Sequence, residues 1–203
     1  MRIDEILQDE LFRNEPEISK LLLQLTRLNS KLRLLTKNRF SRINPFVESA
    51  FDWKDKGELL FGAGKNITIY DSCTITGNVK IGENTWIGPY TALDGTGGLT
   101  IGKNCSISAS VNIISHDTVK WALTGGKKGY ENEPISIGDN CFIGTGAFIS
   151  KGISIGNCCL IGAGAVVTKN IPANSIAFGV PARIVGKVIV NNQDVVLEYH
   201  NAH

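Results

Sequence analysis

Residues 134–172 read PISIGDNCFIGTGAFISKGISIGNCCLIGAGAVVTKNIP, and their aliphatic residues fall six apart, at Ile137, Ile143, Ile149, Ile155, Ile161 and Val167. The same spacing reaches back toward the N-terminus. It holds at Ile69, Ile75, Ile81, Ile87 and Leu93, slips by two residues, and resumes at Ile101, Ile107 and Ile113 before a longer break. Two interruptions account for every deviation. A period this regular has to be read before any other feature of the chain.

The chemistry around each aliphatic position explains the period. Two residues before it stands a small or β-branched residue, as at Cys73, Val79, Thr85, Thr91, Cys105, Val111, Cys141, Ala147, Ile153, Cys159 and Ala165. Side chains alternate along a strand, so these two positions share its inner side. One residue after it glycine recurs (Gly82, Gly88, Gly102, Gly138, Gly144, Gly156, Gly162), and three after it asparagine (Asn78, Asn84, Asn104, Asn140, Asn170). Glycine, and to a lesser degree asparagine, accepts the positive φ of a sharp corner. Each hexad therefore reads as a very short strand followed by a corner. Three hexads close one triangular coil, and stacked coils build a parallel β-helix. The marked positions predict between four and five coils, a prism of roughly 22 Å at ~4.8 Å per strand. The expected fold class is mainly β, with a helical segment before it.

The cysteines follow from this pattern. Cys73, Cys105, Cys141 and Cys159 take the small inward site, where a free thiol serves as a small hydrophobe. Cys158 should point outward, opposite to its neighbour. The residues just before each aliphatic position point outward and sort by face. Face one carries Thr68, Trp86, Ser106, Phe142 and Leu160; face two carries Thr74, Ala92, Asn112, Phe148 and Val166; face three carries Lys80, Thr100, Ser136 and Ser154. Two faces expose large apolar groups, which mark interfaces. A closed threefold ring pairs face one of one copy with face two of the next.

Outside the repeat the chain is less specific. Residues 16–37 predict an amphipathic helix, with Asn14 as N-cap and Pro16 in the first turn. Its apolar positions Ile18, Leu21, Leu22, Leu25, Leu28, Leu32 and Leu35 run near a period of 3.5. Packing on the prism, a short coiled coil and a membrane-surface contact all fit it. The expected organisation is a helical segment over 1–40, a connecting segment over 41–64 that includes Asn44-Pro45 and Phe51-Asp52-Trp53, the β-helix over 65–187, and a tail over 188–203. The 203 residues carry a net charge of only +2, which does not point to nucleic acid. The opening MRIDEILQDE lacks the apolar core of a secretion signal, and no apolar run has the length of a membrane span, so a cytoplasmic location is expected.

The hexads, the segment NIISHDTVKW at 112–121 before a long insertion, and the ending VTKNIPANSIAFGVPARIVG at 167–186 together resemble the hexapeptide-repeat acetyltransferases. The likeness covers roughly 65–187. It is nearest to the sugar O-acetyltransferases of lipopolysaccharide and capsule clusters and to the maltose and galactoside enzymes. The resemblance implies a left-handed coil, a homotrimer with active sites between subunits, acetyl-CoA as co-substrate without a metal, and a sugar or glycan acceptor. O-acetylation of a glycan and N-acetylation of a nucleotide-linked amino sugar both remain open.

The candidate residues follow. Of three histidines, His200 and His203 fall in a tail expected to fray, while His116 stands at the mouth of the insertion 114–134. Long loops on rigid scaffolds carry function. The resemblance makes His116 the general base that removes the acceptor's proton. Asp117, Glu131 and Glu133 could orient the imidazole or hold the acceptor, with Asn112 beside them, and Trp121 and Tyr130 could stack on a sugar ring. Solvated charge and loop packing are the alternatives. The donor's pantetheine arm is expected along Gly144, Gly162 and Ala163, with Thr168, Lys169 and Arg183 near its phosphates. FGVPAR departs from the family's usual turn at Val180. A metal-dependent hydrase on such a prism needs three convergent histidines, and only His116 lies in the coils. A non-catalytic solenoid predicts uniform faces and no long loop, against the pattern here.

Overall fold

A computed structural model describes residues 3–41, 43, 45, 46, 48, 53–191 and 194–200. It divides into two compact units, Met1–Asp52 and Trp53–His203.

The first unit is helical, with short helices Ile3–Gln8 and Glu10–Arg13 ahead of a long helix, Pro16–Phe40. Pro16 opens the long helix, as expected from its preset φ. The N-cap is Glu15 rather than Asn14, and its side chain makes no capping bond. The helix continues to Phe40 and stops where Ser41 turns left-handed, its N–H bonding the Lys37 carbonyl. Ile18, Leu21, Leu25, Leu28 and Leu35 are exposed along it. Asn44, Phe51 and Asp52 lie outside the described residues.

The second unit is the triangular prism. On face one Ile69, Ile87, Ile107, Ile143, Ile161 and Ala177 stack in parallel register. Face two stacks Ile75, Leu93, Ile113, Ile149 and Val167. Face three stacks Ile81, Ile101, Ile137 and Ile155, and an isolated bridge adds Ile171. Nearly all of these are buried, and together with the inward small residues they form one continuous core. The outward columns register as sorted above: Trp86, Ser106, Phe142 and Leu160 share face one, and Asn112, Phe148 and Val166 share face two. The prism is longer than four to five coils. Beyond Val167 the spacing drops to four at Ile171 and then returns to six at Ala177, so the periodic reading ended one turn early.

The corner chemistry also differs from expectation. The glycine one residue after each aliphatic position does not carry the positive φ. That φ sits three residues after, at Asn84, Asn104, Asn140, Gly146, Gly152 and Gly164, with Tyr90, Ser110 and Cys158 in the same role. The recurring glycine answers to stacking instead: a Cβ on Gly144 would stand 2.4 Å from the Ala163 nitrogen in the next coil. Asparagine earns its place twice, since it tolerates the left-handed corner and links coils through its amide. Asn66 donates to Asn84, and Asn104 to Asn140, each at 3.1 Å.

Inward polar groups are satisfied from coil to coil. The Cys105, Cys141 and Cys159 thiols donate to the carbonyls of Gly138, Gly156 and Pro172 at 3.2, 3.1 and 3.1 Å, and Thr85 donates to Gly102 at 3.0 Å. Small residues with a weak donor thus line the core without stranding a buried polar atom. Cys158 is half-buried and outward.

Both ends of the prism are covered. The segment expected to be a plain connector holds a helix, Trp53–Phe61. Its Gly57 lies against the Ile67 carbonyl, Lys56 donates to the carbonyls of Asp71 and Cys73 at 2.9 and 2.8 Å, and Trp53 stacks on Tyr70 with centroids 4.2 Å apart. A solenoid needs such a cap because its first coil has no neighbour below. At the other end Ser175–Phe178 pairs antiparallel with Arg183–Asn191, which pairs with Asp194–Tyr199. The tail is therefore part of the sheet. The His200 N–H bonds the Val185 carbonyl at 2.7 Å, so His200 is tied to the hairpin rather than frayed, and His203 lies outside the described residues. Among the described residues no helix is long and apolar enough to cross a membrane.

Candidate active site

The long insertion leaves face two directly after the buried Ile113. Ser115 is fully buried, and His116–Asp117 pairs antiparallel with Glu131–Asn132 to form the stem of the loop. A short helix, Val119–Leu123, lies beyond the stem. The Ser115 carbonyl receives the Glu133 N–H at 2.9 Å, and its hydroxyl receives the Gly97 N–H at 2.8 Å. The base of the loop is thereby pinned to the preceding coil.

His116 projects from this stem with its side chain about one-third exposed (32 %), and its Nδ1 lies 2.7 Å from Oδ2 of Asp94. Asp94 belongs to the coil before, where it registers beside Ile114. It follows Leu93, where many hexads place glycine, and opens the two-residue slip in the repeat. Its carboxylate is buried and accepts from several donors. Oδ2 receives the Ser115 N–H at 2.9 Å and the Ser115 hydroxyl at 3.0 Å, and Oδ1 receives the Thr96 N–H at 3.1 Å and the Thr96 hydroxyl. Burial alone would raise this carboxyl. The hydrogen bonds from Thr96, His116 and Ser115 outweigh burial and hold it far below the ordinary aspartate range. An ionised carboxylate only accepts, so the Nδ1 of His116 carries the proton toward it. Nε2, on the other side of the ring, is then directed away from Asp94.

None of the three loop carboxylates orients the imidazole. Asp117 caps Val119 with a 3.0 Å bond and lies 3.4 Å from the Lys151 Nζ. Glu131 pairs with Lys120 and stands 3.6 Å from Lys151, and Glu133 bonds Lys151 at 2.6 Å. The expectation of a supporting carboxylate inside the loop is thus corrected: the acid that contacts His116 comes from a neighbouring coil. The signal was present, because Leu93 and Ile113 occupy the same face one coil apart. Asn112 is exposed on face two and bonds the Ser110 carbonyl at 3.2 Å. Trp121 and Tyr130 meet edge to face at 6.1 Å, both exposed.

The residues expected at the donor divide into two groups. Gly144 and Gly162 are buried, and protein fills the space a Cβ would take: the Ala163 backbone at Gly144 and the Phe178 ring at Gly162. Packing against the neighbouring backbone or ring is by itself enough to require glycine at both positions. Ala163, Thr168, Lys169 and Arg183 are exposed on the later coils, and Arg183 donates to the Ala182 carbonyl at 3.0 Å.

Residues 134–169 match the family described as the hexapeptide repeat of succinyl-transferase. WcaF of Escherichia coli (strain K12), named as a colanic acid biosynthesis acetyltransferase, is 34% identical over 132 residues, 62% of this chain and 70% of its own. An acetyltransferase of Dictyostelium discoideum is 36% identical over 144 residues, 69% of this chain and 75% of its own. Among solved structures, a single-residue variant of the N-acyltransferase AntD of Bacillus cereus, in complex with dTDP and coenzyme A, superposes with a TM-score of 0.56 at 25% identity, over 60% of this chain and 70% of that one. Repeat, inner lining, interrupted face and relatives agree: this chain belongs to the hexapeptide-repeat acetyltransferases.

Proposed function

We propose that the protein transfers an acetyl group from acetyl-CoA to a sugar hydroxyl of a glycan or saccharide, with His116 as general base. The observation that carries this reading is the 2.7 Å contact between the Asp94 carboxylate and the His116 Nδ1. A carboxylate holding the far side of an imidazole fixes its tautomer and stabilises the cation that forms. In the reaction, Nε2 of His116 takes the proton as the acceptor oxygen attacks the thioester carbonyl. The tetrahedral intermediate collapses with cleavage of the carbon–sulfur bond. The departing thiolate recovers the proton from the imidazolium, giving the acetyl ester and free CoA. Ionised Asp94 stays a hydrogen-bond acceptor throughout.

For the donor, Ala163, Thr168, Lys169 and Arg183 form the proposed contact line, Lys169 and Arg183 meeting phosphate charge. Coenzyme A bound to AntD supports an acyl-CoA donor. The acceptor lies against the loop 114–134, with Trp121 and Tyr130 as its apolar wall. WcaF, named for colanic acid biosynthesis, supports a glycan hydroxyl. The complex of AntD with dTDP supports the second reading, N-acetylation of a nucleotide-linked amino sugar. The working form is a homotrimer closed through face one (Trp86, Phe142, Leu160) and face two (Phe148, Val166), with large apolar groups on both. Five free thiols suit the cytoplasm, where disulfides are rare.

The test is release of CoA from acetyl-CoA with a panel of oligosaccharides and nucleotide-linked amino sugars, for the wild type and His116→Ala. Turnover with one acceptor class, lost in the variant, supports the reading. Absence of turnover with every acceptor, or full turnover by the variant, refutes it.

A further inference from the structure

Lys151 stands at the corner after Ile149, one coil beyond the coil that carries Ile113 and His116. Its side chain is half-buried (17 % exposed), and its Nζ bonds Oε1 of Glu133 at 2.6 Å and lies 3.4 Å from Asp117 and 3.6 Å from Glu131. The three acids sit on opposite limbs of the loop. Asp117 is on the outgoing limb beside His116, while Glu131 and Glu133 are on the returning limb. One ammonium therefore ties both limbs to a rigid coil. Its hydrogen bond to the Glu133 carboxylate pushes the Lys151 ammonium up to about 12, so it is charged at any working pH.

The ground beneath this contact is shaped for it. Gly152 has φ +73, and a Cβ there would stand 2.3 Å from Oε2 of Glu133, so the carboxylate lies over a bare backbone. The Gly152 N–H also reaches the Glu133 carbonyl at 3.4 Å. Without Lys151, Asp117, Glu131 and Glu133 would face one another with only Lys120 on Glu131 to offset them. Like charges this close spread apart unless a cation sits between them.

We infer that Lys151 is a positioning residue: it latches the loop 114–134 onto the prism and so sets both the seat of His116 and the wall against which the acceptor binds. This rests on the proposed role of His116. It assigns to Asp117, Glu131 and Glu133 a shared task, that of holding the loop closed. Lys151 touches no reacting atom and acts through the loop. Thr168 and Lys169 of the proposed donor line take no part in the ion cluster, so the latch acts through the loop, on the seat of His116 and on the acceptor wall.

The test uses the full chain and the variants Lys151→Met, Lys151→Arg and Glu133→Gln. Amide hydrogen exchange over 117–133 should rise in Lys151→Met while exchange at the coil residues stays unchanged. The KM for the acceptor should rise about tenfold or more, the scale that misplacement of a binding wall produces, with the KM for acetyl-CoA unaltered. Lys151→Arg should recover most of both effects, and Glu133→Gln should show a smaller version. Equal exchange over the loop in wild type and Lys151→Met overturns the latch, as does an unchanged acceptor KM. If Lys151→Met does not fold, unchanged exchange in Glu133→Gln overturns it. If the wild type transfers acetyl to no acceptor, the proposed function fails, and the exchange measurement still decides the latch.

Discussion

The Asp94 carboxylate and the His116 imidazole come from successive coils of the prism and meet at 2.7 Å, so the stacking of the solenoid brings the two side chains together. Removing the charge while keeping the shape should expose this role. Asp94→Asn can present its amide N–H to Nδ1 and favour the wrong tautomer. By analogy with other carboxylate–histidine pairs, kcat should fall roughly 10²- to 10⁴-fold. The KM for acetyl-CoA should be unchanged. Steady-state kinetics at saturating donor measure it, and an Asp94→Asn enzyme with wild-type kcat rules the pairing out of the chemistry.

The same carboxylate predicts a pH dependence of stability. Burial raises it, but the hydrogen bonds from Thr96, His116 and Ser115 win, and the folded carboxyl titrates far below its unfolded value. A depressed folded pKa means that the unfolded chain takes the proton first. The stabilisation is then complete above about pH 5 and declines as pH falls below about 4. Urea midpoints of wild type and Asp94→Asn should differ at pH 5 and above and converge as pH falls below about 4. A gap that widens on acidification contradicts the sign.

Coil stacking should be sensitive to a single methyl. In Gly144→Ala the added Cβ would stand 2.4 Å from the Ala163 nitrogen and 2.7 Å from the Gly162 carbonyl carbon, both backbone atoms. The coils must part locally, at an expected cost of about 1–3 kcal/mol. Chemical denaturation reads this out. Ile143→Ala, which hollows the same coil from inside, should cost about 2–5 kcal/mol.

Thiol labelling should separate the cysteines. Cys73, Cys105, Cys141 and Cys159 are buried and Cys158 is half-buried. A thiol reagent should modify Cys158 in the native protein and the other four only on unfolding. Rapid native labelling of Cys141 would contradict the inward column.

The proposed trimer makes a surface prediction. Phe142 and Phe148 are 45 % and 37 % exposed in the single chain. Phe148→Glu should shift the sedimentation of the protein from trimer to monomer and lower turnover with it. A wild-type protein that sediments as a monomer refutes the assembly.

Much of the prism was legible in the chain. Ile69 through Val167 mark its rungs, and the outward residues sort by face from spacing alone, because a six-residue period forces each position onto a fixed column. The reading faltered where the period itself broke. At Ile171 the spacing of four hid the last turn. At Leu93 the two-residue slip looked like an interruption, yet it carries Asp94. The glycines were misread because a missing Cβ serves a corner and a close backbone equally well, and one sequence does not distinguish them.

The sequence by itself determined the coil, its inner lining and the single histidine beside the long loop, since these follow from local period and residue size. Tertiary structure decided which carboxylate meets His116 and which cation gathers Asp117, Glu131 and Glu133. Asp94 and Lys151 are 22 and 35 residues from His116 along the chain, yet both lie on neighbouring coils. Such contacts depend on side chains crossing from coil to coil, where distance in space and distance in sequence no longer correspond.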